Sequence, residues 1–405
     1  MRVAYYSPLP PSRSGIAAYS ALLLPELEKH VEVSVARPGR LRRSPKAEIA
    51  LYHAGNDAEQ HAWIVEELRR RPGVVVLHEL VLHHLVVGMT IARGDSAGYL
   101  AAMEREGGIV TRLLAHAAID HRITPIWDTR PHEFPLVREV LDYATGVIVH
   151  SRYVEEGARR HGFTGPVWRV PHPAWPIPAV RPAPVGGGPV FGCFGHLNET
   201  KRVPQVVEAF RRVREQLPDA RLLVVGPTGP GLGELELPEG ATREEYVAEA
   251  RLWELMAAAD VHIALRAPTM GETSGSAIRS LSLGKPLVVS DVGWFAELPE
   301  EIALKIAPDD SEVEALAAGL AALGSDPDRR HTMAEAARTL SEGPHRLDRV
   351  AELYAAALEE AAGGDALRDG VLHDVATAAA EVGIGADAPE AAELGRRLRE
   401  AGLGG

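Results

Sequence analysis

Residues 268–293 read PTMGETSGSAIRSLSLGKPLVVSDVG and hold the densest chemistry in the chain. Thr273 or Ser274 stands where a helix cap belongs, ahead of a run in which Ala277, Ile278 and Leu281 make one apolar stripe. The backbone N–H groups around Gly275 and Ser276 have no partner inside such a helix, so they form a seat for a phosphate. Glu272 stands just before them. A carboxylate does not help to hold a phosphate, but it accepts hydrogen bonds from hydroxyls such as those of a sugar. Amides for a phosphate beside an acid for hydroxyls are what a nucleotide-sugar requires. The plainer alternative is a capped helix between two strands, closed by Gly284.

A second group lies in FGHLNETKRVPQVVEAF (194–210). Gly195 ends a strand, and Lys201 and Arg202 stand at the entry to the next helix. Two cations there oppose the helix dipole. An anion bound between them resolves that conflict; a solvated surface pair is the alternative. The chain holds 38 Arg and only 5 Lys, so a lysine at the end of a strand is a rare choice. A third group is PLPPSRSGIAAYS (8–20), which leaves a strand and enters a helix past Gly15. A glycine there lets backbone approach a ligand; otherwise Ser14 merely caps the helix. His78 closes the strand GVVVLHE (73–79) and is placed to face a cleft.

Other signals are weaker. HELVLHH (78–84) lacks the zinc spacing, because Leu82 stands four residues after His78; His83 and His84 read as helix surface or packing. DPD (326–328) reads as a cap from Ser325 or Asp326 rather than a metal site. VGPTGPGLGE (225–234) is Gly-rich without GxGxxG spacing and reads as a cleft-edge loop. RPGRLRRSPK (37–46) reads as a solvated loop, with anionic lipid headgroups or an anionic acceptor as the lesser alternative.

The elements that must position these groups alternate. Short β-branched runs at 2–6, 48–53, 73–79 and 146–151 are separated by helical segments near 16–29, 58–71 and 80–92, and a helix near 152–161 follows the last of them. The segment 93–145 reads as mostly helical. After the Pro/Gly-rich stretch 171–189 the alternation restarts with strands at 190–195, 220–226, 261–265, 286–290 and 302–306. Such a pattern predicts parallel βαβ units in two doubly wound α/β sheets in series, joined by a hinge. The expected domains are 1–172, a linker 173–189, 190–343, a helix over 344–362 and an Ala/Gly-rich tail 363–405. Ligands of such sheets bind beyond the carboxyl ends of the strands, and a cleft between domains is the expected pocket.

Composition narrows the function. At 405 residues, with 46% apolar and 24% charged residues, the chain has the balance of a soluble globular protein of two or three domains. A net charge of −13 argues against nucleic acid as a partner. The single cysteine, Cys193, builds neither a disulfide framework nor a cysteine metal site, which fits a reducing cytoplasm. MRVAYYSP has no apolar h-region and no run approaches a membrane span, so a cytoplasmic protein is expected, with peripheral contact at the inner membrane face left open.

Taken together, GHLNETKR, ARLLVVG, AAADVHIAL and GETSGSAIRSLSLGKPLVVSDVG, in a two-domain layout, resemble glycosyltransferase family 4 (group 1 glycosyltransferases). The likeness covers roughly residues 1–360 and is strongest from 190 to 300. It implies the GT-B fold: two Rossmann-like domains facing each other across a cleft, with C-terminal helices crossing back to the N-terminal domain. It implies a retaining transfer from a UDP- or GDP-sugar to a glycan, lipid-linked or small-molecule acceptor, as in polysaccharide biosynthesis, with no cofactor and no metal. The C-terminal domain would hold the donor and the N-terminal domain the acceptor. By this likeness Glu272, His78 and Lys201 are catalytic. Gly15, His196, Lys201, Arg202, Thr273, Ser274, Gly275, Ser276 and Arg279 bind the donor. Two positions depart from the pattern. An Arg/Lys pair normally neutralises the diphosphate; Lys201 matches the Lys, while His196 stands at the Arg position with Arg202 beside the Lys. A second glutamate normally binds the ribose; Arg279 stands there, placed to reach a phosphate or to pair with Glu272. Two rival functions remain at this level: a nucleotide-sugar epimerase of the same fold, and a non-catalytic nucleotide-sugar-binding protein.

Overall fold

The computed structural model describes residues 1–12, 14–39, 45–229, 232–233, 235–363 and 365–400. The middle of the basic run 37–46, part of the glycine-rich loop 225–234 and the end of the tail lie outside the described residues. The chain divides into two compact units, Met1–Val170 with Ala351–Gly405, and Pro171–Val350.

The first unit carries six parallel strands: β1 (Arg2–Tyr6), β2 (Glu32–Val35), β3 (Ile49–Ala54), β4 (Gly73–Leu77), β5 (Ala144–Val149) and β6 (Val167–Arg169). Their order across the sheet is β2-β1-β3-β4-β5-β6. The second unit repeats the plan with β7 (Val190–Phe194), β8 (Arg221–Val225), β9 (Ala241–Glu244), β10 (Val261–Ala264), β11 (Leu287–Ser290) and β12 (Ala303–Ile306), ordered β12-β11-β10-β7-β8-β9. Here too every pairing is parallel. Central strands such as β4 (GVVVL) and β7 (VFGCF) are buried along their whole length, as expected of strands covered by helices on both faces.

Strands β2, β6 and β9 have no counterpart in the pattern read from the sequence. All three are sheet edges. Their sequences, EVSV, VWR and ATRE, are short or polar, and none has a fully buried residue. An edge strand is covered by neighbours on one side only, so it lacks the apolar run that marks a central strand. No regular element lies between Pro171 and Pro189. The helix Leu347–Ala362 follows, and the tail forms helices at Asp365–Glu381 and Pro389–Glu400.

The strand order fixes where ligands go. In the second sheet the chain runs from β7 outward to β8 and β9, then returns to the other side of β7 to begin β10. The loops after β7 and β10 therefore leave neighbouring strands in opposite directions and open a crevice between them. These loops contain Gly195–Arg202 and Leu265–Ser274. The first sheet has the same reversal between β1 and β3, and Gly15 follows β1.

Candidate functional site

The crevice of the second unit is assembled from three segments far apart in sequence. Gly195 leaves β7 with φ of 102°, in the region that favours glycine. A short 3₁₀ turn, Glu199–Lys201, then brings the Lys201 side chain back so that Nζ donates to the carbonyl oxygen of Phe194 at 2.8 Å. The loop after β10 is tied to this turn: the Ala267 N–H donates to the Thr200 carbonyl at 2.8 Å, and Arg266 Nη1 donates to Thr200 Oγ1 at 2.9 Å. The third segment is the helix Gly275–Ser282. Ser274 is its cap, accepting from the Ala277 N–H at 3.3 Å, and its hydroxyl shares a hydrogen bond of 3.1 Å with Ser276. The inward stripe, Ala277, Ile278 and Leu281, is fully buried against Trp294 and Phe295 and fixes the helix start in place.

Lys201, Arg266, Ser274 and Ser276 line one small niche, floored by Cys193 and Ile263. A Cβ on Gly195 would lie 2.7 Å from Lys201 Nζ and 3.8 Å from Ser276 Oγ, so the strand end, the ammonium and the first helical turn meet at one point. Burial, with the nearby Arg266 guanidinium second, lowers the Lys201 pKa from 10.5 to about 8. Such a charge is held against its own desolvation, and a bound anion would relieve it.

Glu272 sits in the turn before the helix. Its carboxylate accepts from the Met270 N–H at 2.9 Å and from Thr269 Oγ1 at 3.3 Å, and it pairs with Arg266 Nε at 2.5 Å. Thr273 is half-buried beside it. Arg266 did not stand out in the sequence: it is one arginine among 38. Its only signal was its place as the second residue past β10, at the reversal of strand order.

Two expectations need correction. Arg202 does not stand with Lys201. It is the left-handed cap residue of the helix Val203–Gln216 (φ 56°), and its Nε and Nη2 both donate to Glu312 Oε2, at 2.9 and 2.5 Å. Glu312 is 1% exposed, and a carboxylate so buried requires a cation. Arg202→Gln is therefore expected to cost about 2 kcal/mol, partly screened because Arg202 is half-buried. The Tm should fall by roughly 4–8 °C, with donor affinity within twofold of wild type by calorimetry.

Arg279 does not pair with Glu272. It lies 4.1 Å over the Trp175 ring and 5.8 Å from that of Trp253, and its Nη2 is 3.5 Å from Glu249. Trp175 comes from the segment read as a linker, so no local pattern announced the stack. His196 is exposed, next to Gly229.

In the first unit Gly15 begins the helix Gly15–Leu27, capped by Ser14, and a Cβ there would meet nothing within 4 Å. His78 follows β4 and shares a hydrogen bond of 2.9 Å, through Nε2, with Nδ1 of His53. His53 is fully buried on β3, and burial pushes its pKa well below the usual histidine range, so it stays neutral. Tyr19 packs edge-on against His78 at 4.8 Å and shares a 2.7 Å hydrogen bond with Tyr354. Sequence reading named His78 as a candidate but not the residues packed around it. Asp326 caps the helix Pro327–Glu342 through the Arg329 N–H at 2.8 Å. Among the described residues no helix is long and apolar enough to cross a membrane.

Two all-parallel six-stranded sheets in two Rossmann-like units define the GT-B class of fold. Three solved GT-B structures match over nearly their whole length. A sucrose-phosphate synthase of Thermosynechococcus elongatus matches with a TM-score of 0.58 at 18% identity, over 89% of this chain and 98% of its own. HepE of Anabaena in complex with UDP-glucose gives 0.57 at 14%, over 89% and 100%. WaaG, a glycosyltransferase involved in lipopolysaccharide biosynthesis, gives 0.54 at 16%, over 88% and 99%. Residues 188–326, which span the crevice just described, match the family model described as Glycosyl transferases group 1. No curated protein matches the chain.

Proposed function

We propose that the protein is a retaining, metal-independent glycosyltransferase that moves a sugar from a nucleotide diphosphate to an acceptor hydroxyl. The observation that supports this most is the meeting of Lys201 Nζ, the Gly195 turn and the Ser274–Ser276 helix start in one niche. The donor diphosphate lies across the mouth of this niche, and Glu272 and Thr273 receive the sugar hydroxyls. The bond from the anomeric carbon to the phosphate oxygen breaks, and its electron pair stays on that oxygen. The Lys201 ammonium and the N–H groups of Gly275 and Ser276 stabilise this charge as it develops. The acceptor oxygen bonds to the anomeric carbon from the same face and passes its proton to the leaving phosphate. No protein nucleophile is needed. The first unit takes the acceptor, and Gly15 and His78 are its candidate residues. HepE, solved with UDP-glucose, makes a UDP-sugar the first donor to try; a GDP-sugar is the second. A cytoplasmic place beside the membrane and a glycan or lipid-linked acceptor fit this reading.

The test is a panel of UDP- and GDP-sugars. The true donor raises the Tm in proportion to ln(1 + [L]/Kd) and slowly releases free sugar and nucleoside diphosphate, with water as acceptor. Release must fail in Glu272→Ala, which removes the acid paired with Arg266 beside the niche. A new sugar isomer would make the protein an epimerase. A Tm shift with no turnover on any acceptor would make it a binding protein, and turnover unchanged in Glu272→Ala would sink the site.

A further inference from the structure

We propose that Arg266, at the end of β10, supplies the second cation that grips the donor diphosphate, in place of an arginine on the loop after β7. This rests on the donor reading above. The loop after β7 offers Lys201 but no second free cation: His196 is exposed at the loop's edge, and Arg202 is bound by Glu312 through two nitrogens. Arg266 stands across the crevice on the neighbouring strand. It is 9% exposed and lines the same niche as Lys201, Ser274 and Ser276.

The charges around the niche do not balance. Lys201 and Arg266 bring two positive charges, the start of the helix Gly275–Ser282 adds a partial one, and Glu272 brings a single negative charge. Two cations close together repel each other, and this proximity, second to burial, depresses the Lys201 pKa. A diphosphate restores neutrality. Arg266 is also held in register without one: Nη1 is fixed to Thr200 Oγ1 and Nε to Glu272. A guanidinium already held at two of its nitrogens loses little further entropy when Nη2 donates to a phosphate. The same arrangement couples the two halves of the donor, because the acid assigned to the sugar hydroxyls is positioned by the cation assigned to the phosphate.

The experiment measures UDP, UMP and inorganic pyrophosphate binding by calorimetry. A charge-assisted contact to phosphate is worth on the order of a 10- to 100-fold change in affinity. Arg266→Gln is therefore expected to lose about that much for UDP and pyrophosphate and clearly less for UMP, while Arg266→Lys recovers part of it. Arg202→Gln, whose guanidinium is held by Glu312, stays within about twofold. Removing Arg266 leaves Glu272 unpaired, so the double variant Arg266→Gln/Glu272→Gln is measured as well; it restores the charge balance, and its UDP affinity must remain low. Unchanged UDP affinity in Arg266→Gln, with binding lost in Lys201→Gln, overturns this inference and leaves the donor site standing. Loss in His196→Gln instead returns the second cation to the β7 loop and overturns it equally. Wild-type protein that binds neither nucleoside diphosphates nor pyrophosphate overturns the donor reading itself, and the inference with it.

Discussion

Lys201→Ala is expected to lower kcat/KM for the donor by about 100- to 1,000-fold, the usual cost of deleting one preorganised group at a developing oxyanion. The effect belongs to kcat as much as to KM, because the leaving phosphate carries more charge in the transition state than in the bound donor. The pH profile separates this role from a packing role. In the free protein burial, first, and Arg266, second, hold the Lys201 pKa at about 8. The ammonium is present below that pH and is lost as pH rises through it, so kcat/KM should fall on the alkaline side of about 8. Lys201→Arg keeps its charge throughout this range and should abolish that limb at a lower plateau. Stability moves the other way. The folded pKa lies below the unfolded value near 10.5, so between about 8 and 10.5 the unfolded chain binds more protons, and this group's contribution to stability rises with pH. Urea midpoints of wild type and Lys201→Met at pH 7 and pH 10 test the sign: the gap between them should narrow or reverse in favour of wild type at the higher pH. An activity profile flat through pH 9 would remove Lys201 from the phosphate.

The two sheets were legible because their central strands are buried on both faces and so stand out as β-branched runs between helices. The edges β2, β6 and β9 escaped because half-covered strands need no such run. The candidate site divides in the same way. Its local parts could be read: a cap at Ser274, a glycine at the end of β7, an acid ahead of a helix, a rare lysine. Its long-range parts could not. The partner of Arg202 is 110 positions away at Glu312. That of Arg279 is Trp175, reached by packing of the segment after the first unit onto the helix Gly275–Ser282. Lys201 and Arg202 are adjacent in sequence, yet a left-handed residue between turn and helix sends one into the niche and the other to a buried carboxylate. Spacing predicts which residues are neighbours along the chain; only strand order decides that Arg266 and Lys201, 65 positions apart, line one crevice.

Gly195→Ala is expected to lower kcat/KM by about 100-fold, although it deletes no functional group. With φ of 102° the residue lies where an L side chain is strained, at a cost on the order of 1–3 kcal/mol. Gly226 closes the other side, where its own Cβ would lie 2.0 Å from the Gly195 carbonyl oxygen, so the turn has no room to relax in that direction. The added methyl would stand 2.7 Å from Lys201 Nζ. The ammonium must then give up its bond to Phe194 and move by about an ångström, and a misplacement of that size is enough for roughly a hundredfold loss. Gly15→Ala provides the contrast. Gly15 is in the first turn of a helix with open space around it, so alanine should hold or raise stability by about 0.5 kcal/mol. Any loss of donor turnover in Gly15→Ala must therefore come from a ligand approaching that backbone. Turnover equal to wild type would show that no ligand depends on a close approach at Gly15. In Gly195→Ala, a Tm fall of a few degrees with turnover intact would show that the turn shapes the fold and not the position of Lys201.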